Sequence, residues 1–189
     1  MAGTLHGFGL GVASKNAKGD VLDVFYPTPL ANISGDLVSI FDGVSGELKA
    51  TEIRALSDGL RSAGEHSLAD IAVRLSEAGR PVVASLLADN AAPQTVADAY
   101  LKLHLLSHRL IKPHGTDLTG MFALLPNVAW TDEGPIDLAE LADRQLTSRL
   151  KGRVLEVASV DKFPKMTNYV VPSGVRIAHT ARVRLGAYL

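Results

Sequence analysis

Four aliphatic residues close the chain at one fixed spacing of six: Val171, Ile177, Val183 and Leu189. No regular helix or strand repeats with that period. A helix would place successive members at drifting angles, and a strand would put Val171 and Ile177 on one face but demand apolar partners between them. A chain that turns a corner every six residues does meet the pattern. Each short flat strand then sends one aliphatic side chain inward, and a small residue fits the crowded corner. Val175, Ala181 and Ala187 fill that fifth position. Three such strands make one triangular coil of a left-handed parallel β-helix. The spacing therefore predicts the first coil of a β-helix over residues 166–189. One coil buries no interior and leaves an unpaired upper edge, so the helix is expected to continue beyond Leu189 in a longer protein.

Residues 1–165 read differently. "LHGFGLGVAS" and "VLDVFY" flank the polar turn "KNAKGD", the pattern of a hairpin. "PTPLANISG" breaks it, and "DLVSIFDGV" reads as a third strand. Helices are expected from about Thr51, with Ile53, Leu56 and Leu60 in a stripe, and from Ser67, with Leu68, Ile71, Ala72 and Leu75 on one face. "RPVVASLLA" reads as a short buried strand, with a helix as the alternative. Thr95 and Asp98 form a capping-box start for the helix "TVADAYLKLHLLSHRLIKPHG". It is apolar on opposite sides, hence covered on both, and Pro113 and Gly115 are expected to stop it. "NVAWT" and "RVLEVASV" read as strands. Between them "DLAELADRQLTSRL" reads as a helix with Leu138, Leu141, Leu146 and Leu150 inward. Strands and helices without strict alternation indicate an α+β domain over 1–165, followed by the coil over 166–189.

Charge is distributed unevenly. Residues 1–143 hold ten Lys and Arg against eighteen Asp and Glu, whereas 144–189 hold nine against two. A basic C-terminal fifth suits an anionic partner, or simply offsets the acidic part. The basic residues lack an interleaved row of aromatics, which argues against nucleic acid. With no cysteine, thiolate chemistry and disulfides are excluded, and a cytoplasmic setting is expected. The first residues carry neither a basic leader nor an apolar run of membrane-spanning length.

Other constellations read as structural. His104 and His108 stand four apart on one helix, with His114 beyond it, but Leu105 follows His104 where the zinc-protease signature needs Glu. Buried histidines bonded to backbone are expected there, and no metal. Gly7, Gly9 and Gly11 lack the spacing and the following helix of a phosphate-binding loop, so close packing or a bulge is expected. Ser107 beside His108 matches no nucleophile elbow. Asp161 and Lys162 are expected to fix the approach to the coil.

"YLKLHLLSHRLIKPHG", "LLPNVAWT", "VDKFPKMTNYVVPSGVRI" and "ARVRLGAYL" together resemble the N-terminal region of the tetrahydrodipicolinate N-succinyltransferases, in their longer-chain bacterial branch. The likeness runs from about Ala91 to Leu189, and more loosely over the opening hairpin. It implies a cytoplasmic homotrimer of the diaminopimelate route to lysine. Such an enzyme moves a succinyl group from succinyl-CoA, its co-substrate, to the amino group of ring-opened tetrahydrodipicolinate. It also implies that the acidic catalytic residue and the CoA-binding segment lie beyond Leu189, leaving this chain inactive alone. By analogy with the family's shorter-chain branch, counting back eight residues from Arg184 assigns substrate binding to Arg176. A guanidinium suits carboxylates through two parallel hydrogen bonds. Some members carry a magnesium-binding aspartate where this chain has Ala181, and a methyl group ligates no hard cation. A non-catalytic binding or oligomerisation module is the alternative.

Overall fold

The computed structural model describes residues 4–189. In chain order the elements are β1 (Leu5–Lys15), β2 (Val21–Phe25), β3 (Leu30–Ile33), α1 (Asp36–Phe41), β4 (Gly46–Glu47), α2 (Ala50–Ser62), α3 (His66–Ser76) and β5 (Val82–Leu87). Then follow α4 (Val96–Ser107), α5 (Met121–Leu124), β6 (Val128–Thr131), β7 (Gly134–Asp137), α6 (Leu138–Leu150) and β8 (Val157–Asp161).

The hairpin forms as its turn chemistry dictates. The Asn16 side chain accepts from the amides of Lys18 and Asp20, and Gly19 takes φ +89°. β1 pairs antiparallel with β2 through its second half, with β3 through its first, and with β5 along its other edge. β4 adds to β5. Alternation along β1 then sorts two cores. Phe8 and Leu10 face α1, α2 and α3, while Gly7, Gly9 and Gly11 face α4 and Tyr26. A β-carbon on Gly9 would lie 2.6 Å from the Tyr26 ring and 2.8 Å from Leu101. Close packing is thus the reason for the "GFGLG" run.

α4 is sandwiched as its two apolar sides foretold, with Tyr100, Leu101, Leu103 and Leu105 all in the larger core. Its capping box is formed in both directions: Thr95 accepts from the Asp98 amide at 3.1 Å and Asp98 accepts from the Thr95 amide at 3.0 Å. A second antiparallel sheet, β7-β6-β8, carries α6. The two sheets are tied where Asn16 Nδ2 donates to Asp137 at 2.8 Å and the Ala17 amide donates to Glu140 at 2.7 Å. Antiparallel sheets with unalternated helices are the α+β class read from the sequence.

Three local expectations are corrected. "DLVSIFDGV" holds α1 rather than a strand; Phe41 is fully buried and stacks on Phe8 at 3.9 Å, and the third strand lies earlier, in "LANI". α4 ends at Ser107, ahead of Pro113, because Arg109 adopts a left-handed φ of +61°. The amides of Arg109 and Leu110 then cap the carbonyls of Leu106 and Leu105, a Schellman closure. Of the four leucines on α6 only Leu141 packs inward, against Ala129, Ile136 and Leu155. Leu138, Leu146 and Leu150 are exposed while Ser148 is buried, so the face turned to the sheet is set by those three contacts and is not the leucine stripe. β4 and β7 went unread.

The tail departs from regular structure. Residues 170–189 carry a 3-10 turn at Thr180–Arg182 and an isolated bridge from Arg184 to Lys165, with no strand. Ile177, Val183 and Ala187 nonetheless pack against the larger core, and Leu185 is buried within it. Val171 and Leu189 stay exposed.

Candidate functional site

The C-terminal end of α4 is where the tail is held. Ser107 Oγ donates to the Ala187 carbonyl at 3.0 Å and accepts from the Gly186 amide at 2.8 Å. Arg109 reaches further, its guanidinium donating to the carbonyls of Ser173 and Leu189. A hydroxyl so engaged is a backbone clamp, consistent with the absence of a nucleophile motif around Ser107. At the other end of the segment Arg184 Nε donates to Asp161 at 2.8 Å. Lys162 Nζ donates to the carbonyls of Phe122 and Leu125, 2.8 Å each, and lies 4.9 Å over the Phe122 ring. Asp161 therefore holds the tail through Arg184, while Lys162 ties the approach to it onto the Phe122–Leu125 turn. Arg176 projects from this tail, exposed.

Behind the tail lies a buried polar cluster. His104 is fully buried; Nδ1 donates to the Tyr100 carbonyl at 2.7 Å and Nε2 accepts from the Tyr26 amide at 3.3 Å. Burial, with a smaller push from His108, lowers its pKa to about 4. Both nitrogens are spent, so His104 has no lone pair for a metal. The His108 ring stacks 6.0 Å away, its Nε2 buried without a partner. His114 takes a left-handed φ of +63° outside the helix and does not join them.

Next to this cluster Tyr169 donates its hydroxyl to Asp23 Oδ2. Asp23 stands in β2 between buried Leu22 and Val24 and is itself only 7% exposed. Burial pushes its carboxyl above the usual range, opposed by Tyr169, Ser14 and Arg80. A cavity of about 220 Å³ opens beside it, at the junction of the two sheets, walled by Phe25, Trp130 and Tyr169 with Lys165 and Asn168. Sequence reading missed this site, although a carboxylate inside the apolar strand "VLDVF" was the available signal. A buried lysine was also unread. Lys102 is wholly buried and donates to Thr116 at 3.1 Å and Asn90 at 3.4 Å; burial lowers its pKa against the pull of Asp117, Asp98 and Asp89.

Known proteins resemble this architecture throughout. The family described as "Tetrahydrodipicolinate N-succinyltransferase middle" matches residues 125–165, the stretch that builds the second sheet and α6. A 2,3,4,5-tetrahydropyridine-2,6-dicarboxylate N-succinyltransferase of Pseudomonas putida is 53% identical over 196 aligned residues, covering 100% of this chain and 57% of the relative. One from Vibrio cholerae is 48% identical, covering 96% and 55%. A crystal structure of a Campylobacter jejuni protein described as a 2,3,4,5-tetrahydropyridine-2-carboxylate N-succinyltransferase superposes with a TM-score of 0.84 at 24% identity, over 97% of this chain and 54% of that one; it speaks for the fold. The likeness extends across the first ninety residues, beyond the stretch that suggested it. The chain spans little more than half the length of these relatives, 57% and 55% of the two curated ones. By its sequence it belongs to the tetrahydrodipicolinate N-succinyltransferase family.

Proposed function

We propose that this chain is the N-terminal portion of an acyltransferase that moves the succinyl group of succinyl-CoA onto tetrahydrodipicolinate, in the diaminopimelate route to lysine. The observation that carries the reading is 53% identity over the whole chain to a relative bearing that name. In this reading residues 1–165 form the α+β domain and residues 166–189 the base of a left-handed β-helix. Ile177 and Val183, which pack against the larger core, belong to its aliphatic series. The reaction needs an unprotonated amine held against a thioester carbonyl, with a general base and donors for the developing oxyanion. Those groups belong to coils that follow Leu189. Arg176, exposed on the tail, binds a substrate carboxylate there. The whole protein is a cytoplasmic homotrimer that takes both small molecules between its subunits. No helix among the described residues is long and apolar enough to cross a membrane.

CoA release tests this directly, because a chain without cysteine contributes no thiol to the signal. The 189-residue chain alone is expected to release no CoA from succinyl-CoA and tetrahydrodipicolinate. The complete natural reading frame is expected to relieve the diaminopimelate requirement of a bacterium lacking this succinyltransferase. Robust turnover by the 189-residue chain, or an expressed complete frame that fails to restore growth, overturns the reading.

A further inference from the structure

The cavity at the junction of the two sheets faces a carboxylate that has no ion-pair partner among the described residues, Arg80 acting on it only from beyond contact distance. Asp23 Oδ2 is taken by the Tyr169 hydroxyl, but Oδ1 is buried without a hydrogen-bond partner. A buried carboxylate oxygen left in this state is costly, and a donor that brings positive charge relieves it. The walls suit such a donor. Phe25 lies 6.3 Å from Tyr169, ring to ring, and Trp130 is fixed by its indole N–H donating to the Asp161 carbonyl at 2.9 Å. Aromatic faces around one buried carboxylate are the chemistry that recognises an organic ammonium. Lys165 and the Asn168 amide line the same cavity and offer the opposite preference, for a carboxylate. A volume of about 220 Å³ admits a small zwitterion.

We propose that this cavity binds a small aminocarboxylate, its ammonium on Asp23 among Phe25, Trp130 and Tyr169 and its carboxylate toward Lys165. The site is separate from the succinyl transfer proposed above and stands whether or not that reading holds. All six residues belong to this chain.

Trp130 is the sole tryptophan, so its emission reports on the cavity. The probes are the unbranched ω-aminocarboxylates from glycine to 6-aminohexanoate, which vary the separation of the two charges, with n-alkylamines and n-alkylcarboxylates as single-charge controls. One member of the series is expected to give a saturable change, bound at least about tenfold more tightly than either control of equal length, a difference of ~1.4 kcal/mol. Asp23→Asn is expected to abolish that response while leaving the far-ultraviolet spectrum unchanged. Lys165→Gln, at a partly exposed position, is expected to bring the aminocarboxylate down to the affinity of the alkylamine, and it keeps the test decisive should the Asp23 variant not fold. The proposal is overturned if no member of the series saturates, if the folded Asp23→Asn chain responds as the parent does, or if Lys165→Gln preserves the preference over alkylamines.

Discussion

Arg109 and Leu189, eighty residues apart in sequence, are joined by a hydrogen bond from the guanidinium to the backbone carbonyl. The same side chain holds the Ser173 carbonyl at 3.2 Å. Arg109 is also the left-handed residue that ends α4. One position therefore both stops a helix and fastens the tail, and the first task would be done better by glycine.

That division of labour is separable. Arg109→Ala loses the tail contacts and keeps the backbone strain; Arg109→Gly loses the contacts and relieves the strain. Glycine is expected to leave the chain about 1 kcal/mol more stable than alanine, as read from denaturant midpoints. Hydrogen exchange at residues 183–189 is expected to speed up equally in both. Slower exchange in the glycine variant would show that strain, and not the guanidinium, governs the tail.

Gly186 is fitted against α4 with no spare room. A β-carbon there would lie 2.5 Å from Leu103 Cδ2, at a φ of +100°. Gly186→Ala is expected to cost ~1–3 kcal/mol, from the clash and from a conformation that side chains avoid. In a Leu103→Ala background the clash disappears and only the conformational part remains, so the second cost is smaller than the first. Equal costs in both backgrounds, by chemical denaturation, would assign the whole effect to the backbone.

His104 makes stability depend on pH in a defined window. Its folded pKa, near 4, lies below the 6.5 of the free side chain, so the unfolded chain takes up the proton first as pH falls. Its contribution is complete above pH 6.5 and is lost progressively towards pH 4, ~3 kcal/mol in full. Asp23 works in the opposite sense, since its raised pKa favours the fold at low pH. The comparison with His104→Gln therefore isolates the histidine: the parent is expected to lose more stability between pH 7 and 4.5 than the variant. Parallel losses would mean that folding leaves the His104 pKa at its ordinary value.

What the sequence made legible was local. The hairpin turn is set by Asn16 and Gly19 within four residues, and the capping box by Thr95 and Asp98 within three. α1 escaped because Leu37, Ile40 and Phe41 suit a short helix as well as a strand until Phe8 supplies the partner. The helix α6 was legible but its covered face was not: Leu141 and Ser148 are covered whereas Leu138, Leu146 and Leu150 are exposed, because the face is chosen by contacts with Ala129, Ile136 and Leu155 that only folding brings to it. Arg109 carries no mark of a left-handed residue in its type. The Asp23–Tyr169 pair spans 146 positions, so only folding brings that carboxyl to that phenol. Of the six-residue series only Ile177 and Val183 pack against the core; Val171 and Leu189 are exposed, the buried residue is Leu185, off the spacing, and the regular strands the spacing implied are not formed over 170–189.

The central claim is that this chain supplies the base of a succinyltransferase whose remaining coils carry the reaction. A chimera tests it most directly: residues 1–189 joined to the remaining segment of the Pseudomonas putida relative, assayed for CoA release with succinyl-CoA and tetrahydrodipicolinate. Turnover dependent on both substrates is predicted, with KM raised at least about tenfold by Arg176→Ala, the loss of a charge-assisted pair. A folded chimera that releases no CoA would contradict the account.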